Sequence, residues 1–299
     1  MLYRDWVIDL YEQPKLKRPV RFLVIGDIHG QMDMLMRLAR LTGYNPDSDH
    51  MVALGDLVDR GPASADVVRW FAGGALRTSL LGNHDALMVD SEFLSSAERV
   101  WHHNGGLWST ELDPLDRNLL RRLASGFPLA ATLHLADGRR IGLVHAEVRP
   151  GASWADVQRV RYDYGDAVDD RCRAVRSNLL WGRKRYHVYE ALWDPDLKSI
   201  NATQREWMGN VLALVHGVDL VICGHTILYD REPVRFGSHL FIDTGAYEDP
   251  DGRLTAVDPV AGVYWQVGRH EDEQWGPCPL PAPFEDSLPA SIWSGGKRP

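Results

Sequence analysis

The chain has 299 residues, 44% hydrophobic and 25% charged, enough to bury one large α/β core or two small ones. A net charge of −8 argues against general attraction to nucleic acid or an anionic membrane, so an anionic substrate needs local positive charge from metals or particular arginines. Cys172, Cys223 and Cys278 form no CxxC pair, Met1–Arg21 lacks the apolar stretch of a secretion signal, and no apolar run approaches a membrane span, so the expected location is the cytoplasm.

In chain order, Arg21–Gly26 reads as a short buried strand ended by glycine. Met32, Leu35, Met36 and Ala39 then recur at i, i+3, i+4 and i+7, the spacing of a helix with one apolar face, its methionines filling core. Met51–Gly55 is a second strand, Ala63–Phe71 a helix with Pro62 suited to its first turn, and Thr78–Gly82 a third strand. This alternation predicts an α/β fold with a largely parallel, covered sheet. Arg99–Leu123 reads as helix or loop around the unusual cluster Trp101-His102-His103-Asn104-Gly105-Gly106, with His102 and His103 on the substrate side or surface. Ala131–Leu135 and Arg140–His145 are strands joined at Asp137-Gly138, a hairpin signal. Val148–Asn178, rich in arginine and aspartate, reads as a surface insertion over the site. Thr203–His216 is a helix, and Leu220–Gly224, His239–Thr244, Leu254–Val257 and Val263–Val267 complete the strands. His216 is assigned to packing and His239 to the surface. From Arg269 onward, Pro277, Pro279, Pro281, Pro283 and Pro289 oppose regular structure, leaving an extended tail that could dock through Trp275, Phe284 and Trp293.

Three phrases share one chemical logic: Gly26-Asp27-Ile28-His29-Gly30, Gly55-Asp56-Leu57-Val58-Asp59-Arg60-Gly61 and Gly82-Asn83-His84-Asp85. Each sets a metal-binding side chain beside a glycine after an apolar run, and they recur at about the length of one strand-helix-strand unit. Asp27 and His29, at i and i+2, point the same way from an extended strand end and can grip one ion. Asp56 can bridge two ions, Asn83 offers a carbonyl oxygen, and His145 and His225 end further strands. Six mixed oxygen and nitrogen donors suit two divalent cations such as manganese, iron or zinc better than magnesium or calcium.

A water bridging two such cations is acidified and aimed while the metals neutralise charge on phosphate oxygens, which points to phosphoester hydrolysis. His84, next to Asn83, is placed to act as general acid, with Asp59 as its orienting carboxylate and Arg60 as a planar fork for phosphate oxygens. The sequence contains no GxxxxGK[ST] and no Gly-x-Ser-x-Gly, and no cysteine is followed six positions later by arginine, which argues against a P-loop nucleotidase, a serine hydrolase and a cysteine phosphatase.

With these motifs, the strand-end His145 and Gly224-His225-Thr226, the chain resembles the phosphoprotein phosphatase superfamily of metallophosphoesterases, most of all the bacterial and lambda-phage serine/threonine phosphatases. Asn104-Gly105-Gly106-Leu107-Trp108, Leu180-Trp181-Gly182-Arg183 and Ile242-Asp243-Thr244-Gly245-Ala246 are similar to matching stretches there. The resemblance implies a central β-sandwich of mixed sheets flanked by helices, with a catalytic domain over residues 20–268, an extension over 1–19 and a proline-rich tail over 269–299. It implies that Asp27, His29 and Asp56 bind one metal and Asp56, Asn83, His145 and His225 the other. It makes His84 the general acid oriented by Asp59, gives Arg60 and Arg183 to the phosphate, and sets Asn104 on the substrate side. The implied substrate is a phosphorylated protein or a small phosphoester, with manganese as a common metal. Two departures conflict. Asp85 stands where protein phosphatases usually carry glutamate, as in the symmetrical dinucleoside tetraphosphatases; those enzymes typically lack the aspartate matching Asp59. Asp59 carries more weight because it touches the expected acid.

Overall fold

The computed structural model of the chain describes residues 6–12, 20–161, 169–192 and 202–283. Two six-stranded sheets pack face to face. The first contains β1 (Val7–Tyr11), β5 (Ala130–His134), β6 (Arg140–Val144), β7 (Leu220–Cys223), β9 (His239–Phe241) and β8 (Val234–Phe236) in that spatial order. The second runs β12 (Gln274–Pro279), β11 (Val263–Val267), β10 (Leu254–Asp258), β2 (Arg21–Ile25), β3 (Asp49–Ala53) and β4 (Arg77–Ser79). The sandwich implied by the resemblance is present, and neither sheet is the largely parallel one that strand-helix alternation suggested. β2, β3 and β4 are parallel, but β10, β11 and β12 return antiparallel on the same sheet; β6, β7 and β9 are parallel, flanked by antiparallel β5 and β8.

Side chains alternate across each strand, so every strand feeds two cores. Phe22, Val24, Val52 and Leu54 meet Ala131, Leu133, Ile141, Leu143 and Ile222 between the sheets. Leu23, Ile25, Met51 and Ala53 face outward, in the core shared with Met34, Leu35 and Leu38 of α1 (Met32–Leu41) and Val67, Val68 and Phe71 of α2 (Ser64–Ala72). After β4, the chain forms α3 (Asn83–Asp90), α4 (Ser95–His103), a 3-10 turn (Gly106–Glu111) and α5 (Pro114–Ala124). The Asp137-Gly138 hairpin is present, with Gly138 at φ +89°.

Three points differ from expectation. Val148–Asn178 is not a surface cover: it carries α6 (Trp154–Gln158) and most of α7 (Asp170–Trp181), and Val148, Trp154, Val157, Val160 and Val175 are buried. The Trp154 indole lies against the outer face of β6, where a Cβ on Gly142 would overlap its ring, and its Nε1 donates to Thr132 Oγ1 at 3.0 Å. The tail does enter regular structure: β12 pairs with β11 despite Pro277 and Pro279, because an edge strand needs only one of its sides bonded. Trp275 of this strand packs under the Arg253 guanidinium, 4.2 Å from the ring centre, while Phe284 and Trp293 lie outside the described residues. Finally, β1 and β8 had no counterpart in the sequence reading; β1 runs parallel to β5 from Val7 opposite Ala130. No helix among the described residues is long and apolar enough to cross a membrane.

Candidate metal centre

Five strands end at one edge of the sandwich and deliver their next residues to a common point. Asp27 and His29 follow β2, Asp56 follows β3, Asn83 opens α3 after β4, His145 follows β6 and His225 follows β7. All six side chains are buried, none more than 6% exposed. Asp56 stands at the centre. Its Oδ2 lies 3.6 Å from His29 Nε2 and its Oδ1 3.5 Å from His145 Nε2. Two clusters of mutually adjacent ligand atoms share it: His29, Asp56 and His84, and Asp56, His145 and His225. Asn83 Oδ1 is 2.8 Å from His145 Nε2. Asp27 belongs to neither cluster; both its oxygens accept the His225 backbone N–H, at 3.1 and 3.0 Å.

A backbone carbonyl settles which His29 nitrogen faces the centre. A carbonyl only accepts, so His29 Nδ1, 2.9 Å from Val58 O, must carry a proton, and Nε2 presents a lone pair, the usual arrangement behind a metal-bound histidine. His145 lies between two oxygens, with Nδ1 3.1 Å from Leu54 O and Nε2 2.8 Å from Asn83 Oδ1. His225 Nε2 is buried with no hydrogen-bond partner among the described residues. An unpaired buried nitrogen is unfavourable in a packed interior and is relieved by a cation.

The glycines of the motifs permit this crowding. A Cβ on Gly82 would overlap the Asp56 carboxylate, and one on Gly224 would overlap Asp27 Oδ1. The ligand residues themselves carry strain. Among the described residues, His29 (φ +45°), Asp56 (+48°), Asp59 (+73°), Arg60 (+71°) and His225 (+66°) are five of the six non-glycine residues with positive φ. Such conformations persist where surrounding contacts over-determine them, and they gather at functional sites. Here the His29 N–H to Asp56 O (2.8 Å), Gly30 N–H to Leu57 O (2.9 Å) and Gly224 N–H to His145 O (2.7 Å) bonds tie one motif to the next.

Electrostatics favour a cationic guest. Burial raises the Asp27 carboxyl well above the usual range, helped by Asp243 and Asp56. Burial pushes His29 down to about 4 despite Asp56, and drives His225 far below the ordinary histidine value, with His145 and Arg183 adding to the effect. Burial alone would raise Asp56, but the surrounding His145, His84, His29 and His225 outweigh it and hold it ionised. Neutral imidazoles, an ionised central carboxylate and an orphaned nitrogen make a donor set that fits divalent cations, with Asp56 shared between two.

Beside this centre, His84 Nδ1 donates to Asp59 Oδ2 at 2.7 Å, which leaves Nε2 for the cleft. Burial lowers His84, but Asp56 and the Asp59 bond outweigh it and the net shift is upward. Asp59 is fully buried and caged: Trp101 Nε1 donates to both its oxygens at 3.0 Å, and Trp108 Nε1 donates to Oδ1 at 2.7 Å. Arg60 Nε donates to Asn104 O (3.1 Å) and Nη1 to Tyr247 Oη (3.0 Å), with the guanidinium 4.8 Å from the Tyr247 ring centre. The Asn104 side-chain amide is committed to Val100 O at 2.8 Å. Arg183 sits in the connection between α7 and α8 (Lys184–Leu192). Arg60, Arg183, Asn104 and His84 all line one cleft of about 280 Å³ above Asp56.

Several site residues escaped the sequence reading. Trp101 and Trp108, found there only as parts of odd or family-like phrases, hold Asp59 from 42 and 49 residues away. Tyr247, Trp181 and Asp243 also line the cleft; burial and the nearby Asp56 raise Asp243 to about 7. Glu147 accepts the backbone N–H groups of Arg185 and Tyr186, both at 3.0 Å, and so pins the start of α8 beside Arg183. The two remaining histidine assignments are reversed: His216 is exposed, and His239 is fully buried, its Nε2 accepting the Val148 N–H at 3.2 Å. Asp85 does not face the cleft. It is fully buried and accepts the Leu57 N–H (3.1 Å) and the Gly82 N–H (3.0 Å), so it joins two motifs.

Residues 20–229 match the family model described as calcineurin-like phosphoesterase. Serine/threonine-protein phosphatase 2 of Salmonella typhimurium (strain LT2) is 29% identical over 254 residues, covering 82% of this chain and 93% of its own. The symmetrical bis(5'-nucleosyl)-tetraphosphatase of Delftia acidovorans is 36% identical over 283 residues, covering 88% and 92%. A protein serine/threonine phosphatase structure from Saccharomyces cerevisiae superposes with a TM-score of 0.53 at 16% identity, covering 93% of this chain and 86% of that one, a likeness of fold. With a family match over most of its length and two buried histidine-aspartate clusters at the strand ends, the chain belongs to the calcineurin-like phosphoesterases, metal-dependent hydrolases built around a dinuclear centre.

Proposed function

We propose that this metallophosphoesterase hydrolyses phosphoserine and phosphothreonine in proteins, with manganese as its metal pair and iron or zinc as workable substitutes. The observation that supports the reading is the His84–Asp59 pair, 2.7 Å apart, with Asp59 sealed by two indoles. A serine or threonine leaving group departs as an alkoxide and needs a proton in the transition state. A phosphoanhydride releases a phosphate that is stable as an anion and gains little from an acid. A site that invests buried structure in orienting an acid is matched to the phosphomonoester.

Two divalent cations held by Asp27, His29, Asp56, Asn83, His145 and His225 would supply an acidified water and neutralise charge on the phosphate oxygens. His84 Nε2 delivers the proton to the departing oxygen, and Asp59 keeps the ring in that tautomer and stabilises its charged form. Arg60 and Arg183 orient the phosphoryl oxygens with their planar donors. Tyr247 and the Asn104 carbonyl hold the Arg60 fork in place. The three free cysteines fit a reducing, cytoplasmic setting.

A second reading, hydrolysis of a symmetrical dinucleoside polyphosphate, is supported by the 36% identity to the Delftia acidovorans enzyme over 88% of the chain. Trp181, half-exposed at the cleft, offers a ring on which a base could stack. The test is a side-by-side measurement of kcat/KM on a phosphoserine peptide and on diadenosine tetraphosphate with manganese-loaded protein. Preferred turnover of the dinucleotide replaces the first reading with the second.

A further inference from the structure

A residue that lines the cleft carries a second buried polar atom without a partner. Thr226 is 4% exposed, lines the cleft between His225 and Ile227, and its Oγ1 makes no hydrogen bond to any described residue. Its position is rigid. The Thr226 N–H bonds back to Gly224 O at 2.8 Å, closing a γ-turn around His225 at φ +66°. That turn is clamped in its place by the His225 N–H to Asp27 bonds. The unpaired His225 Nε2 is accounted for by a cation; the Thr226 hydroxyl is not. Valine would occupy the same volume without a polar group to satisfy, so packing does not explain the hydroxyl.

Resting on the phosphoester reading above, we propose that the Thr226 hydroxyl donates a hydrogen bond to a phosphoryl oxygen of the bound substrate, completing a phosphate subsite with Arg60 and Arg183. A neutral donor there adds no charge to a centre already rich in carboxylates, and it favours an anionic oxygen over the uncharged parts of the substrate.

The experiment uses manganese-loaded full-length protein and inorganic phosphate as the probe. Phosphate affinity is read from calorimetry and from competition with p-nitrophenyl phosphate turnover, for wild type, Thr226→Val and Thr226→Ser. Metal content and the thermal stability of the metal-free proteins are read in parallel. Thr226→Val is expected to weaken phosphate binding roughly tenfold, the scale of one hydrogen bond to a charged group. Thr226→Ser should stay within about twofold of wild type. Metal content should be unchanged, and metal-free Thr226→Val should be at least as stable as wild type because a buried unpaired group is gone. Unchanged phosphate affinity in Thr226→Val overturns the proposal. So does loss of metal from that variant, which makes the hydroxyl a metal ligand, and so does a destabilised metal-free variant with normal phosphate affinity, which makes it a structural group. If phosphate fails to bind wild type itself, the phosphoester reading falls together with the subsite; normal wild-type binding with no effect of the variant sinks the subsite alone.

Discussion

Replacing Asp59 by asparagine tests the acid-orienting role with almost no change in volume. Asp59 Oδ1 accepts from Trp101 and Trp108, and Oδ2 from His84 and Trp101, all between 2.7 and 3.0 Å. A carboxylate accepts on both oxygens; an amide turns an NH2 group toward one side. If that side is His84, donor meets donor and the imidazole must flip its tautomer or turn away. If that side is Trp108, an indole N–H at 2.7 Å is left facing another donor inside the protein. In both orientations His84 also loses a negative partner. A hydrogen bond to a charged group is worth about 1.5–3 kcal/mol, and about 1.4 kcal/mol is a tenfold rate, so kcat/KM should fall about 10- to 100-fold where the proton matters. The assay compares a phosphoserine peptide, whose alkoxide needs that proton, with p-nitrophenyl phosphate, whose phenolate does not. The peptide should lose the full factor and the aryl ester less than about threefold. Equal losses on the two substrates would refute the reasoning and leave Asp59 as a packing element of the Trp101–Trp108 cage.

Asp56→Asn should lower bound manganese measured by elemental analysis, because the shared oxygen pair 3.6 Å from His29 and 3.5 Å from His145 loses its charge; unchanged stoichiometry and affinity would contradict the bridge. Asp85→Glu should cost stability without moving the ratio of peptide to dinucleotide turnover, since Asp85 is buried and bonds the Leu57 and Gly82 N–H groups in the core; a shifted substrate ratio would make this position a selector after all. His50, bonded through Nε2 to Thr78 Oγ1 at 2.8 Å, is pushed down to about 4 by burial, so the unfolded chain takes its proton first as the pH falls. Its contribution is fully present above about pH 6.5 and is lost on the way to about pH 4, amounting to about 2 kcal/mol between neutral pH and pH 5. Urea unfolding at the two pH values should show that loss in wild type and not in His50→Gln, and parallel behaviour of the two proteins would rule it out.

Five of the six proposed metal-site residues were readable along the chain because each is a local event: a ligand-capable side chain and a neighbouring glycine after an apolar strand; His145, between Val144 and Ala146, has no such glycine. Strand ends are set by near-neighbour chemistry, and the repeat interval betrays the crossover units that bring those ends to one edge. The helices α1 and α2 were legible for the same reason, α1 through its 3.6-residue apolar period and α2 through Pro62 at its start. The parts that escaped are those where the partner is distant or the side of burial is undecided. Pro277 and Pro279 look like breakers until β12 is seen on a sheet edge, where a missing donor faces no strand. The segment after Val148 is charged on average, yet Trp154, Val157 and Val175 pack into the core, a pattern diluted by the arginines around them.

Histidine is the sharpest case. His145, His216 and His239 each sit in or just after apolar runs, and composition cannot tell which is ligand, surface or core. Tertiary structure assigns His145 to the centre, His216 to the surface and His239 to the interior. Asp59 reads from its motif as the carboxylate that orients His84, but the indoles of Trp101 and Trp108 that close over it come from 42 and 49 residues away and are seen only in the fold. Apart from His145, the inventory of metal-binding groups was written into the order of residues, where short-range geometry decides. The cage that aims His84, the Tyr247 contact that steadies Arg60 and the unpaired Thr226 hydroxyl arise only when the sheets and helices pack, because burial and hydrogen bonding between distant segments are properties of the assembled fold.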